Sequence, residues 1–236
     1  MSYPATSSLA ADPRVARGME AQLERRSKRL RGGDRSLGWK LGFGAPAAKD
    51  KLGISAPLVG CLLDSGRLDP GAVVAIGGFA NPTLEPEVAV HLARDLPPGA
   101  DHDRISDAIG GMGPAFELVD VEPPPEDVEE ILRGNIFQRG CMLGSASPRR
   151  SLQGVSGQVV ENDAEPQIVE NPEQLTGEMV GLLRHVADLL DAFGERLSAG
   201  EVVITGSIVP PLSLAPGNRV EYELNPLGQL SIAFER

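Results

Sequence analysis

An α+β domain built on a curved mixed β-sheet is the fold class this sequence predicts, and three observations predict it. Short stretches of apolar residues mark many brief strands, only two strong helical patterns occur, and strands and helices do not alternate regularly as in a parallel βαβ protein. Glycine (28) and proline (20) are abundant among the 236 residues, as in a chain that turns often between short strands. That length fits one domain with appendages or two small ones, and is enough to bury a sizeable core.

The first helix opens at Asp12-Pro13, an N-cap followed by proline in the first turn, runs to about Arg31 and stops at Gly32-Gly33. Val15, Met19, Leu23 and Leu30 form its apolar stripe. Arg25, Arg26, Lys28, Arg29 and Arg31 crowd the last turns, where cations complement the helix dipole, and read as a solvated helix end. Ser36 to Phe43 is a short strand containing Gly38-Trp39-Lys40-Leu41-Gly42. A lysine in that apolar setting either snorkels to solvent or points into a pocket, where it binds an anionic substrate or moves a proton. Gly44 to Pro57, with one helical turn around Ala47 to Leu52, is a lid or an ordered surface loop.

Val59 to Leu63 is apolar strand. Leu68-Asp69-Pro70-Gly71 turns into a strand at Ala72 to Ile76, and Leu214-Ala215-Pro216-Gly217 turns into Arg219 to Leu224, each with proline and glycine placed for a type II turn. Thr83 to Leu92 reads as a strand in which Glu85 and Glu87 share one face. Two carboxylates that close either lie on a solvated face or need a counter-charge, a proton or a divalent cation. All-oxygen ligation suits Mg²⁺, Mn²⁺ or Ca²⁺. The strand from Pro114 to Asp120 favours the counter-charge, because its Glu117 is flanked by apolar residues.

Arg104 to Ile109 is a short helix, and Asp101-His102-Asp103 before it is read as solvated surface. The proline run Pro123-Pro124-Pro125 ends the Glu117 strand, Glu126 to Arg133 is helical, and Gly140 to Gly144 and Gly157 to Glu161 are strands. Asn171-Pro172-Glu173-Gln174 starts a helix that carries Leu175, Met179, Leu182, Leu183, Val186, Leu189, Leu190 and Phe193 to a stop at Gly194. This helix packs on a sheet, with His185 expected at its margin and without a catalytic role. Glu201 to Ser207 is a strand running into a Thr205-Gly206-Ser207 turn, whose hydroxyls and N–H groups suit a carboxylate. Gln229 to Phe234 is the last strand.

A net charge of −11 argues against a general nucleic-acid or anionic-membrane binder. Cys61 and Cys141 lack metal-ligand spacing and read as reduced, buried thiols. Met1 to Ala11 has no signal-peptide pattern and no stretch is long enough to span a bilayer, so a cytoplasmic location is expected.

Gly38-Trp39-Lys40-Leu41-Gly42, Leu52-Gly53-Ile54, Leu84-Glu85-Pro86-Glu87-Val88-Ala89, Ala115-Phe116-Glu117-Leu118-Val119-Asp120 and Ile204-Thr205-Gly206-Ser207 stand in the order seen in the fumarylacetoacetate hydrolase superfamily. From about Leu37 to Phe234 the chain most resembles its 2-keto-4-pentenoate hydratase and 4-oxalocrotonate decarboxylase branch. The resemblance implies a fumarylacetoacetate hydrolase-like β-roll over residues 36–236, preceded by an N-terminal helical segment, residues 1–35. It implies that Glu85, Glu87 and Glu117 bind Mg²⁺ or Mn²⁺, that Lys40 is the active-site lysine, and that Thr205 and Gly206, with Ser207 in the same turn, hold the substrate carboxylate. It also implies a homo-oligomer.

Three segments depart from the branch. Pro57-Leu58-Val59-Gly60 stands where a Pro-Asp-Phe-Gly motif is usual, and Gly134-Asn135-Ile136-Phe137 stands for Asp-Asn-Ala-Ser. Asn171 to Thr176 replaces a Leu-Gly-His-Pro motif. The expected activity is hydration of a 2-hydroxy-2,4-dienoate in aromatic catabolism. Decarboxylation of a 2-oxo-3-enedioate of the 4-oxalocrotonate type, or metal binding without turnover, are the alternatives. Hydrolysis of an acylpyruvate is disfavoured, because Gly44 to Pro57 holds no His or Glu to activate water.

Overall fold

The computed structural model describes residues 6–121 and 126–236. Met1 to Ala5 and the proline run Pro123-Pro124-Pro125 lie outside the described residues. In chain order the elements are α1 (Thr6–Ala10), α2 (Pro13–Arg31), β1 (Ser36–Gly42), α3 (Pro46–Leu52), β2 (Leu58–Leu63), β3 (Arg67–Leu68), β4 (Val73–Ala75), β5 (Pro82–Leu92), α4 (His102–Ala108) and β6 (Ile109–Asp120). There follow α5 (Val128–Arg133), β7 (Gln138–Leu143), β8 (Ser156–Glu161), β9 (Gln167–Val169), α6 (Glu173–Thr176), α7 (Met179–Ala192), β10 (Val202–Ile204), β11 (Leu212–Ser213), β12 (Arg219–Asn225) and β13 (Gly228–Glu235).

The larger sheet runs β2-β1-β10-β5-β6-β7-β3, with β11 beside β5. Its β1–β10 and β3–β7 pairs are parallel and the others antiparallel, so the sheet is mixed, as predicted. The smaller sheet runs β4-β13-β12-β8-β9. It packs on the larger through Tyr222, whose ring lies 5.6 Å from that of Phe116 and whose hydroxyl donates to the Glu87 carbonyl at 3.1 Å. Side chains alternate across a strand, so Glu85, Glu87 and Glu117 occupy the opposite face from Phe116. That face is otherwise filled by a separate apolar cluster that includes Leu62, Ala89, Ala115, Cys141 and Ile204.

Pro86 lies in the middle of a central strand, where a missing N–H normally breaks a ladder. Here one edge of β5 is paired in two pieces, with β10 at Ala89–His91 and with β11 at Thr83–Leu84. The chain between β10 and β11 bridges the gap irregularly, Thr205 N donating to Val88 O at 3.2 Å and Ile208 N to Pro86 O at 2.9 Å. This irregular stretch puts residues 205–207 and 209–211 in the wall of a cavity that Glu85 also lines.

Both proline-glycine turns form as expected, Ala72 N reaching Asp69 O and Asn218 N reaching Ala215 O, each at 3.0 Å. Three expectations change. The helix expected from Asn171 to Phe193 is two helices: Gly177, at φ 101° and ψ 176°, separates α6 from α7, and the Glu178 carboxylate caps the second by accepting from Val180 N and Gly181 N. Leu175 is consequently not a core residue and stays 45% exposed. His185 is not marginal: it is 1% exposed, with Nε2 2.8 Å from Pro57 O. Arg26 is not solvated but 7% exposed, stacked 4.6 Å over Trp39 and paired with Glu195 at 3.2 Å, because the buried stripe of α2 runs through Val15, Met19, Gln22 and Arg26. Asp101 caps α4 by accepting from Arg104 N, and His102 and Asp103 are exposed, as expected. Cys61 and Cys141 are free and buried, also as expected.

Candidate metal centre

The β5–β6 register sets Glu85 directly across from Glu117, with Glu87 two residues along the same face. Each of the three glutamates offers an oxygen, and those oxygens lie within 4.8 Å of one another. Lys40 reaches them from β1, its Nζ donating to Glu117 Oε1 and, at 3.0 Å, to Ile136 O. Lys40 is 1% exposed and Glu87 and Glu117 are 0% exposed, so the ammonium does not snorkel. Its stem has room because Gly60 lies beside it: a Cβ there would sit 3.0 Å from both Lys40 Cγ and Asn135 Oδ1.

Burial raises the pKa of all three carboxyls, since the charged form loses hydration. Glu87 is raised well above the ordinary range, by burial first and then by the charges of Glu117 and Glu85, while the Gly206 N–H and Lys40 oppose. Glu117 is pushed up to about 7 by burial, with Lys40 the main opposing influence. Fully ionised, three carboxylates against one ammonium leave two negative charges, the charge a divalent cation neutralises. With the carboxyls ionised, Glu87 Oε1 and Glu117 Oε2 are buried without a donor, and Thr205 Oγ1 is buried without a partner; a proton on Glu87 would let it bond Glu117 instead. Such orphaned groups are expensive unless a ligand satisfies them. An all-oxygen, carboxylate-rich set fits a hard divalent cation, which Glu85, Glu87 and Glu117 would hold.

The Thr205-Gly206-Ser207 turn lies alongside, with three of its donors already engaged, Thr205 N on Val88 O among them. The Gly206 N–H donates to Glu87 Oε2 at 2.7 Å, fixing that carboxylate, and Ser207 Oγ donates to Val209 O at 2.7 Å. Thr205 Oγ1 is the buried side-chain group of this turn without a partner. Sequence reasoning missed the Asn135–Phe137 turn. Its three residues have φ of 55°, 52° and 61°, a left-handed run that is rare for a β-branched residue such as Ile136. Asn135 holds it in place, Oδ1 accepting from Cys61 N at 2.8 Å and Nδ2 donating to Cys61 O at 2.9 Å, and Ile136 O is thereby aimed at Lys40 Nζ. The one sequence sign was Gly-Asn after a helix, since Asn tolerates left-handed backbone.

Lys40, Glu85 and Thr205 stand at the inner end of a cavity of about 460 Å³. Gly44, Ala45 and Ala48 of the expected lid line it, as do Leu175 and Thr176 of the broken helix. Phe43 and Phe137 meet in it edge to face, ring centroids 6.5 Å apart. Leu58, which stands for an acidic family residue, is fully buried and does not line the cavity.

Residues 48–234 match the family model described as fumarylacetoacetate (FAA) hydrolase C-terminal. The chain belongs to the fumarylacetoacetate hydrolase family. Within that family it is 27% identical over 209 residues to a 2-hydroxyhexa-2,4-dienoate hydratase of Comamonas testosteroni, covering 86% of this chain and 79% of that one. It is 24% identical over 237 residues to a 4-oxalocrotonate decarboxylase of a Pseudomonas species, covering 99% and 93%. Among solved structures, the 4-oxalocrotonate decarboxylase of Pseudomonas putida G7, complexed with magnesium and adipate, superposes with a TM-score of 0.85 at 25% identity, over 93% of this chain and 86% of that one. The curled mixed sheet with its packed helices is therefore the family's fold. No helix among the described residues is long and apolar enough to cross a membrane.

Proposed function

We propose that the chain is a hydro-lyase dependent on Mg²⁺ or Mn²⁺ that hydrates a 2-hydroxy-2,4-dienoate of the 2-keto-4-pentenoate type, in the breakdown of aromatic compounds. The observation that carries this reading is the cluster of three carboxylates and a buried lysine at the inner end of a largely apolar cavity. When bound by Glu85, Glu87 and Glu117, the cation supplies Lewis-acid polarisation of a 2-oxo acid and stabilises enolate charge.

The remaining work falls to the chain's own groups. In this reading Thr205 Oγ1, buried without a hydrogen-bond partner, donates to the substrate's carboxylate. Hydration carries the 2-hydroxyl proton to C5, then adds water's hydroxyl at C4 and a proton at C3. In this reading Lys40 Nζ, hydrogen-bonded to Glu117 Oε1 and Ile136 O, passes those protons. The apolar walls exclude bulk water and strengthen each of these polar contacts. Residues 36–236 form the catalytic domain of this proposal, with residues 1–35 as its appendage, and the enzyme acts as a homo-oligomer in the cytoplasm.

A decarboxylase reading draws on the relative that covers 99% of the chain, and needs the same enolate chemistry. The products separate the readings. Incubated with a 2-hydroxy-2,4-dienoate and Mg²⁺ in deuterated water, the protein is expected to yield a 4-hydroxy-2-oxo acid visible by NMR. Carbon dioxide release from a 2-oxo-3-enedioate without such a product would favour the decarboxylase. Metal binding with neither product would reduce the protein to a metal-binding homologue.

A further inference from the structure

Resting on that reading, we infer that the cavity takes a 2-oxo or 2-hydroxydienoic acid whose far end is uncharged and apolar, an alkyl or aryl tail, and rejects one ending in a second carboxylate. Burial orders the cavity from the polar inner end at Lys40 and Thr205 to a mouth where Leu175, Pro210 and Pro211 are exposed. Between and around these stand Phe43, Phe137 and Val209. Lys40 is the only lysine or arginine among the described lining residues, and it lies at the inner end, where two of its three N–H donors go to Glu117 and Ile136 O. Residues 1–5 and 122–125 contain no lysine or arginine in the sequence.

The hydroxyls toward the mouth are also engaged, Thr176 Oγ1 donating to Pro172 O at 3.2 Å and Ser207 Oγ to Val209 O at 2.7 Å. The other charged side chain in the lining is Glu85, which belongs to the cation-holding cluster at the inner end and offers a second carboxylate no donor. A second carboxylate entering here would lose its hydration without a partner, whereas an apolar tail gains by burial. There is room for one, because a cavity of about 460 Å³ is more than a five-carbon acid fills.

The test is calorimetric binding of 2-oxohexanoate and 2-oxohexanedioate, the same carbon chain without and with a terminal carboxylate, to the Mg²⁺-loaded protein. The wild type is expected to bind the monoacid at least tenfold more tightly. Leu175→Arg, at a half-exposed position that tolerates the change, is expected to shrink or reverse that preference, and Ala48→Arg serves as a second variant from another wall. Equal or tighter binding of the diacid by the wild type, or a preference unmoved in both folded variants, overturns the inference and leaves the hydro-lyase reading standing. No binding of either acid, together with no turnover of any dienoate, overturns both.

Discussion

At the scale of single residues, Lys40 and Glu117 form an ion pair with 1% and 0% of their side chains exposed. Pairs this deep are sensitive to losing one partner, because the other charge is left without compensation. Lys40→Met is therefore expected to abolish turnover and to lower the stability of the metal-free protein at pH 8 by ~3 kcal/mol, read from urea unfolding. An unchanged midpoint would mean that Glu117 is neutral in the wild type. The glutamates themselves were legible in the sequence, because a strand's two-residue period puts Glu85 and Glu87 on one face whatever the rest of the chain does. Arg26 was not legible. Its burial depends on Glu195, 169 residues away, and on Trp39, so a cation in a basic helix end looked solvated until tertiary structure supplied its partners.

At the scale of elements, the β-strands and the two proline-glycine turns could be read from local chemistry, whereas the end of α6 could not. Leu175 and Met179 are spaced as neighbours on one helix face, and that periodicity bridged Gly177. The backbone at Gly177, φ 101° and ψ 176°, lies in a region open essentially to glycine alone. Gly177→Ala is expected to cost about 1–3 kcal/mol and, by displacing Leu175 and Thr176 from the cavity wall, to raise KM more than it lowers kcat. Steady-state kinetics beside a denaturation curve checks both. Periodicity finds apolar residues but does not say whether core or ligand covers them. For the same reason Phe137 could be noted as a departure from a family motif without its place being known. That place depends on the left-handed Asn135–Phe137 turn and its clamp on Cys61.

At the scale of the whole molecule, the buried acidic cluster ties stability to pH and metal together. Glu85, Glu87 and Glu117 have folded pKa values raised above the ordinary 4.5, that of Glu117 to about 7. Between those values the native state holds protons that the unfolded state has released, so this contribution to stability is present below about 4.5 and is lost as pH rises through the folded values. His91 and His185, lowered from 6.5 by burial, act in the opposite sense: stability is present above 6.5 and is lost as pH falls through their folded values. The histidines cancel when metal-loaded and metal-free protein are compared. Cation binding requires ionised carboxylates, so the Mg²⁺-induced rise in Tm is expected to be small at pH 5 and to grow toward pH 8. A rise independent of pH would place the cation away from these residues.

In the proposed enzyme, Glu85, Glu87 and Glu117 hold the cation on which turnover depends. Loss of a 2-hydroxydienoate's ultraviolet absorbance, followed in chelator-stripped protein while Mg²⁺ is titrated back, tests it most directly, with Glu87→Gln run alongside. The expected result is no turnover after stripping, saturable recovery in the wild type, and no recovery in the folded Glu87→Gln variant. Turnover that survives chelator, or that Mg²⁺ restores equally in the variant, would contradict it.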